Sequence, residues 1–300
     1  MRIAIVGLGK MGGNMAERLL GKGHQVDVFD VSAEARAKLA AKGARAVADL
    51  SELAAMPSPR VVWVMVPAGE ITESVLSTLS GVLGAGDIII EGGNSRYTES
   101  QQRALRLADK GIRMLDIGTS GGVWGLQNGY CLMAGGPKDA FEHTEPLLKD
   151  LAGPDALAYL GASGAGHYAK MIHNGIEYAM MQSYAEGFEL LRAGDFDYDL
   201  GQIAALWNHG SVVRSWLLEL TERALKEDRE LDQVAPYVTD SGEGRWTVEE
   251  GVRRAVALPT IAAALFARFN SRNERGFGLR LLSALRNQFG GHAVVKGTKS

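Results

Sequence analysis

Short apolar runs alternate with helical periodicity through the first 160 residues. The pattern predicts strands at 3–6, 25–29, 61–66, 87–90, 114–117 and 156–160. Between them, apolar residues at helical spacing predict helices near 10–22, 33–42, 70–80 and 98–110. The runs Val61–Val66 and Ile88–Ile90 are apolar at every position, as expected for parallel strands that are covered on both faces. This alternation predicts a doubly wound α/β sheet.

After residue 161 the strands give way to helical periodicity alone. Helices are predicted at 163–193, 199–209, 212–227, 247–256, 258–269 and 276–288. The first of these is the longest, so we expect it to be the central helix of an all-α region. The sequence therefore predicts an α/β domain at 1–161 and an all-α domain at 162–300.

Composition narrows the classes of partner that the chain can bind. The net charge of the 300 residues is −3 and no basic block is present, which gives no reason to expect binding to nucleic acid or to a membrane surface. The single cysteine, Cys131, excludes an internal disulfide and favours a cytoplasmic protein, and we expect it to be a small core residue. No apolar run is long enough to span a bilayer, and no His, Cys and Asp cluster has the spacing of metal ligands.

The turn after the first strand carries a G-x-G-x-x-G motif at the start of a helix. Its glycines permit a tight turn and close approach of the backbone to a pyrophosphate, as in Rossmann-type domains. We expect the dinucleotide to contact Gly7, Leu8, Gly9, Met11 and Gly12. Asp30 ends the second strand, where a carboxylate accepts hydrogen bonds from the adenine ribose and repels a 2′-phosphate. Because Val31 follows it in place of an arginine, we expect NAD to be favoured over NADP.

Three further turns follow predicted strands and carry polar or small residues. The first lies where such sheets bind cofactors. The second offers an amide that can reach both nicotinamide and substrate, and the third offers a hydroxyl and backbone N–H groups for a carboxylate or hydroxyls. The candidate residues at these turns are Val66, Pro67, Ala68, Asn94, Ser120, Gly121 and Gly122.

One polar stripe runs along the long predicted helix. Lys170, His173, Asn174, Glu177 and Tyr178 recur at three- and four-residue intervals, which places them on one helix face among apolar neighbours. An amine and a carboxylate two turns apart can act on one bound molecule, the first by taking a proton and the second by giving one. The alternative is a solvated face with a Lys–Glu pair.

Two arginines in the second half are candidates for phosphate binding. Arg268 lies in Phe266-Ala-Arg-Phe269, and Arg286 begins Arg286-Asn-Gln-Phe-Gly-Gly-His292. A planar guanidinium suits bidentate binding of phosphate. From the sequence alone, a surface arginine is an equal alternative at each position.

Taken together, these motifs resemble one family almost from end to end. The chain resembles the decarboxylating 6-phosphogluconate dehydrogenases of the β-hydroxyacid dehydrogenase superfamily, and specifically their short form. The run Lys170-Met-Ile-His-Asn-Gly-Ile-Glu-Tyr178 is the most specific match. The matching segments are Gly7–Gly12, Glu91–Ser95, Ser120–Gly122, Gly166–Tyr178, Arg214–Ser215, Gly244–Thr247, Ala267–Arg268 and Arg286–His292.

The resemblance implies a role for each candidate. Lys170 would be the base for the C3 hydroxyl, and Glu177 would protonate the enediol carbon after loss of CO2. The positions that hold the sugar acid match Asn94, Ser120, Gly121, Gly122, His173 and Asn174. The positions around the phosphate match Tyr178, Arg268, Arg286 and His292. The last two belong, in the family, to the tail of a neighbouring subunit, which implies a dimer or tetramer.

The chain departs from the long-form enzymes of the family in three ways. Its helical domain is shorter. Ser241 and Glu243 stand where long forms place Lys and Thr near the phosphate, with Arg245 available to offset the charge of Glu243. Asp30 and Val31 replace the Asn-Arg pair of members that use NADP, which again favours NAD.

Two other functions compete with this one. A dehydrogenase of a smaller, unphosphorylated 3-hydroxy acid would use the same scaffold, and Arg268, Arg286 and His292 would then be irrelevant to turnover. A non-catalytic dinucleotide sensor would need neither Lys170 nor Glu177.

Overall fold

The computed structural model describes residues 1–273, 276–290 and 293–295. The chain divides into two compact units, Met1–Asn174 and Gly175–Ser300. The first unit is a sheet covered by helices, and the second is helical. The predicted fold class, an α/β domain followed by an all-α region with a long first helix, is confirmed.

The first unit is organised around an eight-stranded sheet in the order β3-β2-β1-β4-β5-β6-β7-β8. Its strands are β1 (Arg2–Val6), β2 (Gln25–Phe29), β3 (Arg45–Ala46), β4 (Val61–Val64), β5 (Ile88–Glu91), β6 (Arg113–Ser120), β7 (Tyr130–Gly135) and β8 (Ala152–Gly161). Strands β1 to β6 run parallel, whereas β7 is antiparallel to β6. The strand order reverses between β1 and β4, and such a switch point is where doubly wound sheets bind ligands.

Helices cover both faces of this sheet. In chain order they are α1 (Lys10–Gly21), α2 (Ala33–Ala40), α3 (Glu70–Val82), α4 (Tyr97–Ala108), α5 (Gly125–Asn128) and α6 (Lys138–Leu151). Ile3 and Ile5 belong to one apolar cluster, whereas Ala4 and Val6 belong to another. Because successive side chains of a strand point to opposite faces, this division explains why the strand sequences lack polar alternation.

Helix α7 (Ala165–Ala193) is the predicted long helix, and it crosses from the first unit into the second. The helices that follow are α8 (Leu200–Trp207), α9 (Trp216–Glu227), α10 (Glu243–Arg254), α11 (Pro259–Ser271) and α12 (Phe277–Gly290). Asp199 and Ser215 cap the starts of α8 and α9, since their side chains accept the backbone N–H of Gln202 and Leu218 at 3.0 Å.

Four of these elements of the first unit are absent from the sequence prediction: the four-residue helix α5, strands β3 and β7, and helix α6. Strand β3 has only two residues, both exposed, and therefore leaves no apolar run. Strand β7 buries Tyr130, Leu132 and Ala134 at alternate positions, a strand pattern of period two. Helix α6 buries residues at helical spacing but contains Pro146, which interrupts the helical pattern.

The expectation that Cys131 is a small core residue is wrong. Its side chain is exposed, because the positions on either side of it in β7 point to the buried face. Among the described residues, no helix is long and apolar enough to cross a membrane, and no group of three His, Cys, Asp or Glu side chains is placed to hold a metal ion.

Candidate active site

At two of the three glycines in the turn after β1, neighbouring chain atoms leave no room for a side chain. Gly7 has φ +95°, and a Cβ there would lie 2.3 Å from the carbonyl oxygen of Met65. A Cβ on Gly12 would lie 2.0 Å from the oxygen of Gly7. Gly9, the residue before α1, has no chain atom within 4 Å of its Cβ position. The turn therefore leaves open space at the N-terminus of α1, which fits a dinucleotide pyrophosphate.

Asp30 links this turn to the end of β2. Its carboxylate accepts the Leu8 N–H at 2.7 Å and the Ser32 N–H at 2.8 Å. Arg36 donates to the backbone oxygen of Asp30, while Val31 is 92% exposed. The predicted ribose-binding carboxylate is thus oriented by backbone hydrogen bonds beside the glycine turn.

The remaining cofactor candidates lie at the same edge of the sheet, because β4 and β5 run parallel to β1. A Cβ on Gly93 would lie 2.6 Å from the oxygen of Val66, so the turns after β4 and β5 are in close contact. Pro67, Ala68 and Asn94 are exposed at this edge.

Three predicted substrate residues meet around Lys170, the predicted base, in the first unit. The Lys170 amine donates to Asn174 Oδ1 at 2.8 Å and lies 3.4 Å from His173 Nδ1. His173 Nδ1 is 3.0 Å from Asn174 Oδ1, and Nε2 is 3.3 Å from Ser120 Oγ. Lys170 and Asn174 are each only 6% exposed. The cluster therefore places a buried amine beside an amide, an imidazole and a hydroxyl.

This arrangement is typical of a site that moves a proton. Asn174 Oδ1 accepts from Lys170 whether the amine is neutral or charged, which fixes the amine in place through a proton transfer. An Nδ1–H of His173 directed at the same oxygen leaves Nε2 to accept from Ser120. Gly121 and Gly122, with φ of +122° and +53°, turn the chain directly after Ser120.

A second cluster surrounds Tyr178 in the helical unit. The Tyr178 hydroxyl accepts the Ser241 N–H at 3.1 Å, and its ring packs under Arg268, whose guanidinium carbon is 3.4 Å from the ring centroid. Arg268 also donates to the Thr239 oxygen at 3.0 Å. Tyr178 is therefore a buried platform that holds one guanidinium group.

Asp240 joins two more arginines to this cluster. Arg245 donates twice to its carboxylate at 2.9 Å, and Arg272 donates once at 2.8 Å. The hydrogen bond from Arg245 is the main reason that the pKa of Asp240 falls to about 2. Glu243, whose charge Arg245 was expected to offset, is buried as the first residue of α10. Arg245 instead pairs with Asp240.

We expect Asp240→Asn to destabilise the protein by about 2 kcal/mol at neutral pH, the linkage value of this pKa shift. The folded pKa lies below the ordinary value of 3.8, so the contribution is present above about pH 4 and is lost as pH falls towards 2. Urea unfolding at several pH values measures it. We expect the exposed control Asp195→Asn to leave the pH dependence of the unfolding free energy unchanged. If the unfolding free energies of the parent and Asp240→Asn differ by the same amount at every pH, the lowered pKa of Asp240 is contradicted.

Two candidates from the C-terminal segment are not placed in this cluster. Arg286 is exposed on α12, and none of the hydrogen bonds or ring contacts described for it or for Tyr178 joins the two. His292 lies outside the described residues. Glu177 lies on α7, half-buried, one residue before Tyr178.

Sequence reasoning did not find Asp240 or Arg272 as members of the Tyr178 cluster. It also did not find Asp116, which accepts the Gly164 and His167 N–H groups, or Gly118, which packs against Lys170. Asp116 and Gly118 share a strand face with Ser120, so the two-residue spacing was a usable signal. Asp240 and Arg272 are distant in sequence, and no local pattern relates them.

A doubly wound sheet with a glycine-rich first turn and a buried lysine cluster is typical of dinucleotide-dependent dehydrogenases. Residues 2–161 match the NAD binding domain of 6-phosphogluconate dehydrogenase, and residues 166–277 match the C-terminal domain of that enzyme. The chain belongs to the 6-phosphogluconate dehydrogenase family, which confirms the predicted resemblance.

Individual proteins agree with the family models. The chain is 46% identical to a putative 6-phosphogluconate dehydrogenase, YqeC, of Bacillus subtilis (strain 168), over 99% of this chain and 100% of that protein. It is 43% identical to the NAD(+)-dependent, decarboxylating 6-phosphogluconate dehydrogenase of Haloferax volcanii, over 99% of each chain. The 6-phosphogluconate dehydrogenase of Plasmodium falciparum has a similar structure, with a TM-score of 0.84 and 27% identity over all of this chain and 67% of that one. NAD is the cofactor that the domain match and the Haloferax relative support.

Proposed function

We propose that the protein catalyses the oxidative decarboxylation of 6-phospho-D-gluconate to D-ribulose 5-phosphate and CO2, with NAD as oxidant, in the cytoplasm. The observation that carries this proposal is the buried cluster of Lys170, His173, Asn174 and Ser120, in a chain of this family. Residues 1–161 bind the dinucleotide, and residues 162–300 supply substrate contacts and self-association.

The dinucleotide lies against the glycine turn and the neighbouring strand ends. Gly7 and Gly12 allow the tight turn, the open space at Gly9 takes its pyrophosphate, and Asp30 faces its adenine ribose. When bound, NAD accepts the hydride that leaves C3 of the substrate. The residues that contact it are Gly7, Leu8, Gly9, Met11, Gly12, Asp30, Val66, Pro67, Ala68 and Asn94.

Lys170 takes the proton of the C3 hydroxyl as the hydride leaves. The amine must be neutral for this step, and burial favours the neutral form of an amine. The 3-keto acid then loses CO2, because the electrons of the broken C–C bond delocalise into the adjacent carbonyl. Glu177 donates a proton to the enediol carbon and completes ribulose 5-phosphate.

Two groups of residues hold the substrate. Asn94, Ser120, Gly121, Gly122, His173 and Asn174 hold the sugar acid. Tyr178, Arg268, Arg286 and His292 surround the phosphate. Arg286 and His292 act from the tail of a neighbouring subunit in a dimer or tetramer, which is consistent with the exposed position of Arg286 on its own chain.

Substituting Arg268 tests the phosphorylated substrate against the unphosphorylated alternative. Arg268→Gln removes the charge that lies on Tyr178, and we expect KM for 6-phosphogluconate to rise roughly 10- to 100-fold with a smaller change in kcat. The exposed Arg229→Gln serves as the control. The alternative, a dehydrogenase of an unphosphorylated 3-hydroxy acid, is favoured by two results together. Gluconate or 3-hydroxypropionate is then turned over faster than 6-phosphogluconate, and Arg268→Gln has the kinetic constants of the parent.

Cofactor preference is tested at the end of β2. Exchanging Asp30 for Asn and Val31 for Arg removes a carboxylate and adds a guanidinium, and we expect kcat/KM to shift towards NADP by at least about tenfold. Val31→Ala alone is the control, since Val31 is exposed and carries no charge. An unchanged ratio of the two cofactors in the double variant contradicts the role of Asp30.

A further inference from the structure

Strand β6 contacts α7 at three alternate positions. Asp116, Gly118 and Ser120 lie on one strand face, because side chains of a strand alternate. The Asp116 carboxylate binds the first turn of the helix, Gly118 packs against Lys170, and Ser120 lies beside His173. The contacts move about one helical turn along α7 for every two residues along β6. The turn of α7 that carries Lys170 is therefore held in a fixed position against β6.

Asp116 makes the first of these contacts with both oxygens. Oδ1 accepts the Gly164 N–H at 2.7 Å, and Oδ2 accepts the His167 N–H at 2.9 Å. The N–H groups of a first helical turn have no partner inside the helix, and a carboxylate there also opposes the positive end of the helix dipole. Asp116 is 1% exposed, so a side chain about fifty residues earlier in the chain caps α7.

The fit around this cap leaves little freedom. A Cβ on Gly166 would lie 2.2 Å from the backbone oxygen of Asp116, and a Cβ on Gly118 would lie 2.4 Å from Lys170 Cβ and 2.8 Å from the backbone oxygen of Gly166. Helix and strand are therefore in backbone contact on both sides of the carboxylate. A shift of the first turn moves Lys170 directly, because only one helical turn separates His167 from Lys170.

Charged and polar neighbours surround the carboxylate. Burial raises the pKa of Asp116, while the nearby His167 and the two N–H donors counteract part of that rise. Glu91 is its register partner in β5 and accepts from Arg103 at 2.6 Å. His167 Nδ1 is 2.8 Å from Ser100 Oγ. A buried carboxylate is costly, and its two bonds to α7 offset that cost.

We propose that Asp116 is a positioning residue for Lys170: its carboxylate holds the first turn of α7 on β6 and so fixes where the Lys170 amine stands in the site. This inference rests on the proposed role of Lys170 as base. Asp116 is 1% exposed and its carboxylate binds backbone N–H groups at the start of α7, so we assign it no direct contact with substrate or cofactor.

The test compares two substitutions with a matched control. Asp116→Asn keeps the shape but accepts one N–H and turns its own NH2 towards the other donor. Asp116→Glu keeps the charge on a longer side chain. Asp139→Asn is the control, since Asp139 is an exposed carboxylate in the first turn of α6. Steady-state kinetics with 6-phosphogluconate and NAD, and amide hydrogen exchange across residues 164–174, are measured on each.

For Asp116→Asn we expect kcat to fall roughly 10- to 100-fold while both KM values stay within about threefold. Asp116→Glu recovers part of kcat, and exchange across 164–174 accelerates in Asp116→Asn but not in the control. A purely structural role predicts instead a loss of folded protein with kcat per folded molecule unchanged. If Asp116→Asn does not fold, Asp116→Glu decides with the same two readouts.

The inference is overturned if folded Asp116→Asn keeps kcat within about twofold of the parent, or if its exchange across 164–174 matches the control. A parent protein that does not turn over 6-phosphogluconate contradicts the proposed function instead. In that case, hydrogen exchange across residues 164–174 still tests whether Asp116 stabilises the start of α7, because this measurement does not depend on activity.

Discussion

We expect replacement of Lys170 with methionine to abolish turnover and to leave NAD binding intact. Methionine keeps much of the length of the side chain but has no group that takes a proton, so the step at the C3 hydroxyl loses its base. We expect kcat to fall by at least about three orders of magnitude, at the level of a lost general base combined with lost positioning. Because the glycine turn and Asp30 are unchanged, the dissociation constant of NAD stays near that of the parent.

Lys138→Met is the matched control for this substitution. Lys138 is an exposed lysine in the first turn of α6, and we expect its replacement to leave kcat unchanged. Single-turnover formation of NADH and calorimetric titration with NAD separate catalysis from binding. Residual turnover of Lys170→Met above about 1% of the parent would remove Lys170 from the role of base.

We expect Gly12→Ala to lose stability and Gly9→Ala to lose NAD affinity, although both glycines belong to one motif. The Cβ of an alanine at position 12 meets the backbone oxygen of Gly7 at 2.0 Å, and neither the turn nor the helix can yield without moving β1. We expect Gly12→Ala to destabilise the folded protein by about 3 kcal/mol. An alanine at position 9 meets no chain atom within 4 Å, so Gly9→Ala folds normally.

NAD binding distinguishes the two glycines further. Under the proposed cofactor site, the open space at Gly9 takes the pyrophosphate. We therefore expect the added methyl group of Gly9→Ala to weaken NAD binding at least about tenfold while stability is kept. Gly81→Ala is the control, because Gly81 lies in α3 with open space at its Cβ position. Urea unfolding and NAD titration of the three variants provide the comparison. Normal NAD affinity in Gly9→Ala would place the dinucleotide elsewhere.

The parts of the fold that the sequence predicts are those in which local pattern and tertiary environment agree. Residues 3–6 of β1, 61–64 of β4 and 88–90 of β5 are continuous apolar runs because helices cover both faces, and burial alone determines such runs. Helix α6 has the buried spacing of a helix, yet Pro146 obscures it. Strand β3 has two exposed residues and is held by pairing with β2, a long-range interaction that leaves no trace in local composition.

The residues of the site likewise fall into those that the sequence pattern predicts and those that only tertiary contacts bring together. Lys170, His173 and Asn174 are recognisable because they lie on one helix face, and the structure brings them together with Ser120. Asp116 caps that helix from a strand in another part of the chain, and only the folded structure shows the contact. The pairing of Asp240 with Arg245 and Arg272 likewise joins a loop to two helices. Spacing predicts residues that share an element, and it does not predict partners that tertiary folding supplies.

The central claim is oxidative decarboxylation of 6-phosphogluconate with NAD. It is tested most directly by incubating the purified protein with 6-phosphogluconate and either NAD or NADP, while reduced cofactor and CO2 are followed together. We expect equal amounts of reduced cofactor and CO2, formed faster with NAD. Absence of turnover with both cofactors, or reduced cofactor without CO2, would contradict it.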